Sequence, residues 1–260
     1  MRIWIVPLFC LLFSATAACA ANSAEEEFAV MLRQALQKHP EIVLDILREN
    51  SELVLDIAQQ GSNVRRKKNL EIQWREDLKQ PKSVVTANRP VLGPANAPVT
   101  IVAFSDFTCP YCQQGAEVLD RIIQARPQEV KLIFKHMPHG KDSPARLASE
   151  YFVAASFQND RAPWLLYKSF FAEPERLSAE AQNFAAKAAE QAGLDMKKLA
   201  ADLKNKKIGA IIEEDMAEAK KLNVEGTPYF LVNNLTVRGA VSYDLFNAAV
   251  DMALANVKKK

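Results

Sequence analysis

The feature that most constrains this chain is a strand-like run that feeds directly into a cysteine pair at a helix start. Residues 99–104 are apolar and rich in β-branched side chains, and the turn-forming string Gly93-Pro94-Ala95-Asn96-Ala97-Pro98 precedes them. Such a bounded run reads as a buried strand. Phe107-Thr108-Cys109-Pro110-Tyr111-Cys112 follows, and an amphipathic stretch continues to about residue 125. A second apolar run at 130–134 completes a strand–helix–strand unit, which predicts an α/β layer.

Positions i and i+3 of a first helical turn lie on one face, so Cys109 and Cys112 fall within disulfide reach. Pro110 suits the first helical position, because its missing N–H costs nothing there and its φ is already helical. The unsatisfied N–H groups and dipole of that turn favour a thiolate on Cys109, the attacking species in disulfide exchange. Cys112, further into the turn, is expected to be more buried and to act as the resolving thiol.

A pair of this kind also admits duller uses. A zinc site needs about four ligands, and neither a second C-x-x-C nor an H-x₃₋₅-H pattern is present. His136 and His139 are expected to be ordinary loop residues rather than ligands, so no metal site is predicted. A structural disulfide closing so small a ring would constrain little of the unfolded chain. Copper(I) binding by two thiolates remains open, since soft ligands suit it. The strand–helix context favours redox work, with the Cys109–Cys112 disulfide as the only redox group and no separate cofactor.

The N-terminus sets the compartment. Arg2 supplies a positive start, residues 3–13 are nearly all apolar, and small residues follow at 14–21. That is the layout of a secretory signal peptide over residues 1–20, with Ala18 and Ala20 fitting the cleavage site. The run is shorter than the about 20 residues a spanning helix requires. Thr16-Ala17-Ala18-Cys19 is similar to a bacterial lipobox, which would lipidate Cys19 instead. Of the four cysteines, Cys10 and Cys19 belong to this leader, leaving Cys109 and Cys112 to the mature domain. A periplasmic location is expected, with a lipid-anchored form as the alternative. The 33 basic and 31 acidic residues give a net charge of +2, too small a field for nucleic-acid binding.

Residues 21–81 read as a helical arm and linker. Phe28, Leu32 and Leu36 fall at helical spacing before His39-Pro40 interrupts. Val43, Ile46, Leu53 and Ile57 form the stripe of a stronger segment over 41–60, which Gly61-Ser62-Asn63 is expected to end. Asn50 would sit between Ile46 and Leu53 on a heptad-like seam, a position that can fix oligomer state. The arm has too few residues to bury its apolar surface alone, so it either docks on the following domain or packs against copies of itself. The catalytic domain is placed at 82–260. Residues 83–86 are predicted to be an edge strand, 140–222 a helical insertion, 229–232 and 235–237 a hairpin turning at Asn233-Asn234, and 243–257 a closing helix.

With these pieces in order, the chain resembles the DsbA-like branch of the thioredoxin superfamily. The resemblance rests on residues 99–104, Asp106-Phe107-Thr108-Cys109-Pro110-Tyr111-Cys112, the helical insertion and Gly226-Thr227-Pro228-Tyr229-Phe230. It implies a thioredoxin fold with a helical insertion, preceded by the α-helical arm. It also implies a cis Thr227-Pro228 bond beside the dithiol, where Thr227 and Pro228 would bind extended substrate and keep metals off the thiolates. Pro110 and Tyr111 would tune the pair. One departure is informative: the buried acid that many DsbA-like proteins carry six residues before the first cysteine is here Ala103. Asp106 is instead similar to an acid of the isomerases DsbC and DsbG, although a turn or capping carboxylate is an equal reading. Cys-Pro-Tyr-Cys also occurs in DsbG and in ScsC-like proteins, and the latter join a DsbA-like domain to a helical oligomerisation arm.

The expected function is therefore a periplasmic disulfide isomerase or reductase, held as a homo-oligomer by the arm. Its partners would be unfolded or misfolded exported proteins with cysteines and a membrane redox partner that recycles the dithiol. A DsbA-type oxidase is the first alternative, and a non-enzymatic holdase or copper-binding envelope protein is the second.

Overall fold

The structure is a computed structural model that describes the backbone of residues 14–258 and the side chains of residues 26–258. The apolar run at 3–13, including Cys10, and the side chains of Thr16, Ala17, Ala18, Cys19 and Ala20 lie outside the described residues. The leader, cleavage-site and lipobox expectations therefore have no structural counterpart. No helix among the described residues is long and apolar enough to cross a membrane. The chain divides into two compact units, one up to Arg66 and one from Lys67.

The first unit holds α1 (Ser14–Lys38), α2 (Pro40–Glu49) and the first part of α3 (Ser51–Asp77). Pro40 ends α1 and serves as the first residue of α2, as the sequence predicts. Two expectations fail. Helix α3 runs through Gly61-Ser62-Asn63, because one exposed glycine costs only about 1 kcal/mol against alanine and nothing crowds its position. The break falls at Asn50 instead, whose backbone leaves the helix (φ −111°, ψ 33°) while its side-chain Nδ2 donates to the Ile46 carbonyl at 2.8 Å. Asparagine competes with the helix by such local bonds. Asn50 thus stands between two helices rather than on a continuous seam. No residue of α2 is buried, and Ile46, Leu53 and Ile57 are all exposed.

The second unit is built on a five-stranded sheet in the order β1 (Val91–Leu92), β3 (Val130–His136), β2 (Val99–Ser105), β4 (Tyr229–Val232), β5 (Leu235–Arg238). Strands β2 and β3 pair in parallel, with Val99 opposite Val130 and Ser105 opposite His136. A parallel pair needs a crossover, which α4 (Pro110–Ala125) provides. Strand β4 runs antiparallel to β2, with Phe104 opposite Tyr229, and turns into β5 through Asn233, whose φ of 51° asparagine tolerates. Residues 83–86 form no strand; the antiparallel edge is β1, paired to β3.

Both faces of β2 and β3 are buried, which explains their continuous apolar runs. One face, carrying Val99, Ile101, Leu132 and Phe134, packs with α4, the insertion and α10 (Tyr243–Val257). The insertion consists of α5 (Pro144–Ser156), α6 (Ala162–Ala172), α7 (Pro174–Gln191), α8 (Met196–Asp202) and α9 (Lys206–Lys221). The other face, carrying Val102, Phe104, Ile133 and Leu231, packs with Ala219 of α9 and Val224. His136 is no loop residue, as the sequence had suggested; it is the last residue of β3, 1% exposed, with its ring against Phe134 and Phe152.

The last turns of α3 belong to this core. Trp74 is fully buried, and its indole Nε1 donates to the Thr236 carbonyl of β5 at 2.8 Å. Asp77 accepts from Thr236 N at 2.8 Å and from Lys82 Nζ at 2.7 Å. Replacing Trp74 with Ala should therefore cost about 3–5 kcal/mol in urea unfolding, the range for a large buried aromatic. A cost below about 1 kcal/mol would show that α3 is only appended to the domain.

Candidate active site

The loop between β2 and α4 places the cysteine pair. Phe107, fully buried and stacked on Phe134 with centroids 4.7 Å apart, anchors it to the core. Asp106, also buried, braces it: Oδ1 accepts from Thr108 N at 2.7 Å and from Thr108 Oγ1 at 2.8 Å, while Oδ2 accepts from His139 N at 2.8 Å. Those bonds join the loop before α4 to the loop after β3, the work of a turn carboxylate. Cys109 then caps α4 with an extended backbone (φ −81°, ψ 123°), and its carbonyl accepts from Cys112 N at 2.9 Å and Gln113 N at 3.1 Å. Pro110 occupies the first helical position as expected and is exposed, as is Tyr111.

The two thiols are free, and their surroundings differ. Cys109 is half-buried at the rim, whereas Cys112 is 1% exposed in the core beneath it. Burial pushes the Cys112 thiol up to about 12, and negative charge on Cys109 adds to this. The Ser105 and Thr227 side chains and the Asp106 N–H, 3.4 Å from the sulfur, act in the opposite sense.

The Thr227-Pro228 peptide bond is cis, and the Thr227 carbonyl lies 3.8 Å from Cys109 Sγ. A segment over a hundred residues away in sequence thus meets the dithiol through the β2–β4 register. A cleft of about 470 Å³ opens beside it, lined by Glu225, Gly226, Thr227, Pro228, Tyr229 and Arg238. Two contributors escaped the sequence reading. Ser105 ends β2 next to Cys112, and nothing marks it in the sequence. Gly115 lies inside α4 where a Cβ would stand 2.9 Å from Phe230 and 3.2 Å from Pro228. A glycine within a helical pattern was the signal available for it.

His136 and His139 do not converge on the dithiol as ligands; His139 contributes its backbone N–H to Asp106. No group of three or more His, Cys, Asp or Glu side chains is arranged for a metal among the described residues.

The Thioredoxin family model matches residues 85–252. The chain belongs to the thioredoxin family. Its mixed sheet and helical insertion make it a DsbA-like thioredoxin-superfamily protein. The Na(+)/H(+) antiporter NhaA 3 of Salinispora tropica is 32% identical over 65% of this chain, which spans only 25% of that antiporter's length. Disulfide bond formation protein D of Bacillus subtilis is 27% identical over 64% of this chain and 77% of its own length. Among solved structures, Proteus mirabilis ScsC in a transitional conformation superposes with a TM-score of 0.57 at 20% identity. That superposition covers 90% of this thioredoxin-family chain and 99% of the other, a likeness of fold.

Two outcomes test this geometry. Valine at Gly115 should destabilise the domain by about 1–3 kcal/mol through overpacking and push Pro228 off the helix, slowing any reaction at Cys109 with extended peptides. Unchanged stability would refute the close approach. Burial also pulls His136 down to about 4. Between pH 6.5 and 4 the unfolded chain binds this proton and the folded one does not, so stability should fall as pH falls through that window. The loss should be roughly 3 kcal/mol, and His136→Phe should remove it in urea titrations at pH 7 and pH 4.5.

Proposed function

We propose that this chain is a thiol–disulfide oxidoreductase acting on protein disulfides through Cys109 and Cys112. The observation that carries the reading is a half-buried sulfur at a helix start, 3.8 Å from the Thr227 carbonyl of the cis Thr227-Pro228 bond, above a buried partner sulfur. In the reducing direction Cys109 attacks a client disulfide, forming a mixed disulfide and releasing one client thiolate. Cys112 then attacks Cys109, closing the active-site disulfide and releasing the second. Thr227 and Pro228 receive the client as an extended strand, their backbone groups lying beside the sulfur. The name of the Bacillus subtilis relative supports disulfide chemistry on this fold.

The finer reading is an isomerase or reductase outside the cytoplasm, secreted by its leader or anchored through Cys19. Arm helices hold it as a homo-oligomer, and a membrane partner recycles the dithiol. Exposed Ile46, Leu53 and Ile57 on the arm support self-association, since water-exposed apolar stripes favour a partner. The second reading, a DsbA-type oxidase, is favoured by the same relative's name, which refers to disulfide formation.

Because Trp74 belongs to the core, the informative deletion removes residues 26–66 and stops there. Sedimentation should find the full mature chain oligomeric and the deletion monomeric. The deletion should keep insulin reduction but lose scrambled-ribonuclease refolding. A monomeric full chain would defeat the oligomeric isomerase and leave the oxidase. Cys109→Ala should abolish both activities; a holdase would survive it.

A further inference from the structure

The cleft of about 470 Å³ beside Thr227 and Pro228 carries two charges that the exchange chemistry does not use. Glu225 stands on the loop that leads into the cis bond, and Arg238 lines the cleft from the end of β5. Both residues are exposed, and neither side chain has an ion-pair or hydrogen-bond partner among the described residues.

The backbone of Arg238 is open as well. Antiparallel strands alternate residues that bond across the pair with residues whose N–H and carbonyl point outward. Gly239 N donates to the Pro228 carbonyl at 2.8 Å, so residue 239 bonds inward. Thr236 points outward, and α3 takes both of its groups. Asp77 Oδ2 accepts from its N–H and Trp74 Nε1 donates to its carbonyl, each at 2.8 Å. Arg238, opposite Tyr229 and two residues beyond Thr236, therefore points outward too, and no partner among the described residues meets its N–H or carbonyl. The edge that α3 closes at Thr236 is open where it borders the cleft.

A client has to pass this point. Its reacting sulfur meets Cys109 Sγ, which lies 3.8 Å from the Thr227 carbonyl. From Thr227 to Tyr229 is about 7 Å along the chain, and one strand spacing of about 4.8 Å leads across to Arg238. An extended client advances about 3.3 Å per residue, so its second or third residue from the cysteine comes level with Arg238. An acidic side chain there meets a guanidinium fork, the geometry that best fits a carboxylate, with an unpaired N–H beside it. Glu225, in the same cleft, disfavours a second negative charge, so the site takes one acid rather than an acidic run.

We propose that Arg238 is a specificity-determining residue, which selects client segments carrying an aspartate or glutamate two or three residues from the reacting cysteine. The inference rests on the exchange activity proposed above and names the clients that the site favours.

Peptides with one cysteine capped by thiopyridine test it on the reduced full mature chain. The Cys109 thiolate attacks the peptide sulfur, and the mixed disulfide forms as the bond to the cap breaks. The electron pair leaves on the cap, which takes a proton from solvent and is read by absorbance as thiopyridone. Each peptide places Asp, Ala or Lys two or three residues to one side of the cysteine. On one side Asp should react about threefold faster than Ala, the scale of a partly exposed ion pair, and Lys no faster than Ala. Arg238→Gln should bring the Asp/Ala ratio to about one, and Arg238→Glu should put the Lys peptide ahead. Lys187→Gln, an exposed change of the same charge on α7, should keep the parental ratio. A parental ratio near one on both sides, or a ratio that survives in Arg238→Gln, overturns the proposal, as does an equal loss in Lys187→Gln. Lack of thiopyridone release from the Ala peptide in the parent would instead defeat the exchange activity itself.

Discussion

Cys112 is taken out of water while Cys109, three residues earlier, stays at the rim, and the local architecture works to keep that difference. Phe107 pins the connecting loop into the aromatic cluster, so the helix starts at a fixed depth. Asp106 fixes the loop's path through three hydrogen bonds, and its own N–H reaches the buried sulfur. A thiolate at that depth has lost its hydration and recovers only part of it from Ser105, Thr227 and one backbone donor. The buried sulfur is thus stable as a thiol or in a disulfide and unstable as an anion. A resolving group of this kind stays quiet until it has somewhere to send its proton.

The second requirement is that residues 227–228 reach the same place, and sheet topology meets it. Antiparallel pairing of β4 with β2 sets Tyr229 opposite Phe104 and carries Pro228 to the end of β2, where the cysteine loop begins. Register alone would bring the loop into collision with α4. Gly115 removes the Cβ that would meet Phe230 and Pro228, so helix and loop touch. The glycine weakens the helix locally, and the gain is a backbone carbonyl within reach of Cys109.

Much of this was legible in sequence because the signals were local. Residues 99–104 and 130–134 read as strands, and Pro110 marked the helix start; each depends on neighbouring residues alone. Thr227-Pro228 became meaningful only through family resemblance, since nothing in its own neighbourhood points to Cys109. The errors share one cause: each residue's fate was decided by distant contacts or by how weak a local preference is. Gly61 failed to end α3 because an exposed glycine penalty is small against a long helix. Asn50 broke the arm because its side chain found the Ile46 carbonyl. His136 looked like a loop residue, yet two more residues of pairing with β2 make it strand.

The misread strand at residues 83–86 shows how the opposite face of the sheet is organised. Lys135 of β3 is fully buried, 2.8 Å from Asp215 and 2.9 Å from Glu218, both on α9. Arg89 reaches Asp215 with two nitrogens at 2.8 and 3.1 Å, and Asp215 also accepts from His136 N at 3.0 Å. Two cations and two carboxylates in a dry layer balance in charge, which such burial demands. Val85 N then donates to Glu218 at 2.6 Å, so its backbone is satisfied by a side chain of α9 rather than by a neighbouring strand. The apolar, β-branched residues at 84 and 85 have strand propensity, but the charged layer supplies a better partner, and pairing starts only at Val91. A cluster that costs desolvation everywhere it is buried is expected to do little for net stability. Its effect is to fix which segment lies over β3 and α9, and hence where the edge of the sheet begins.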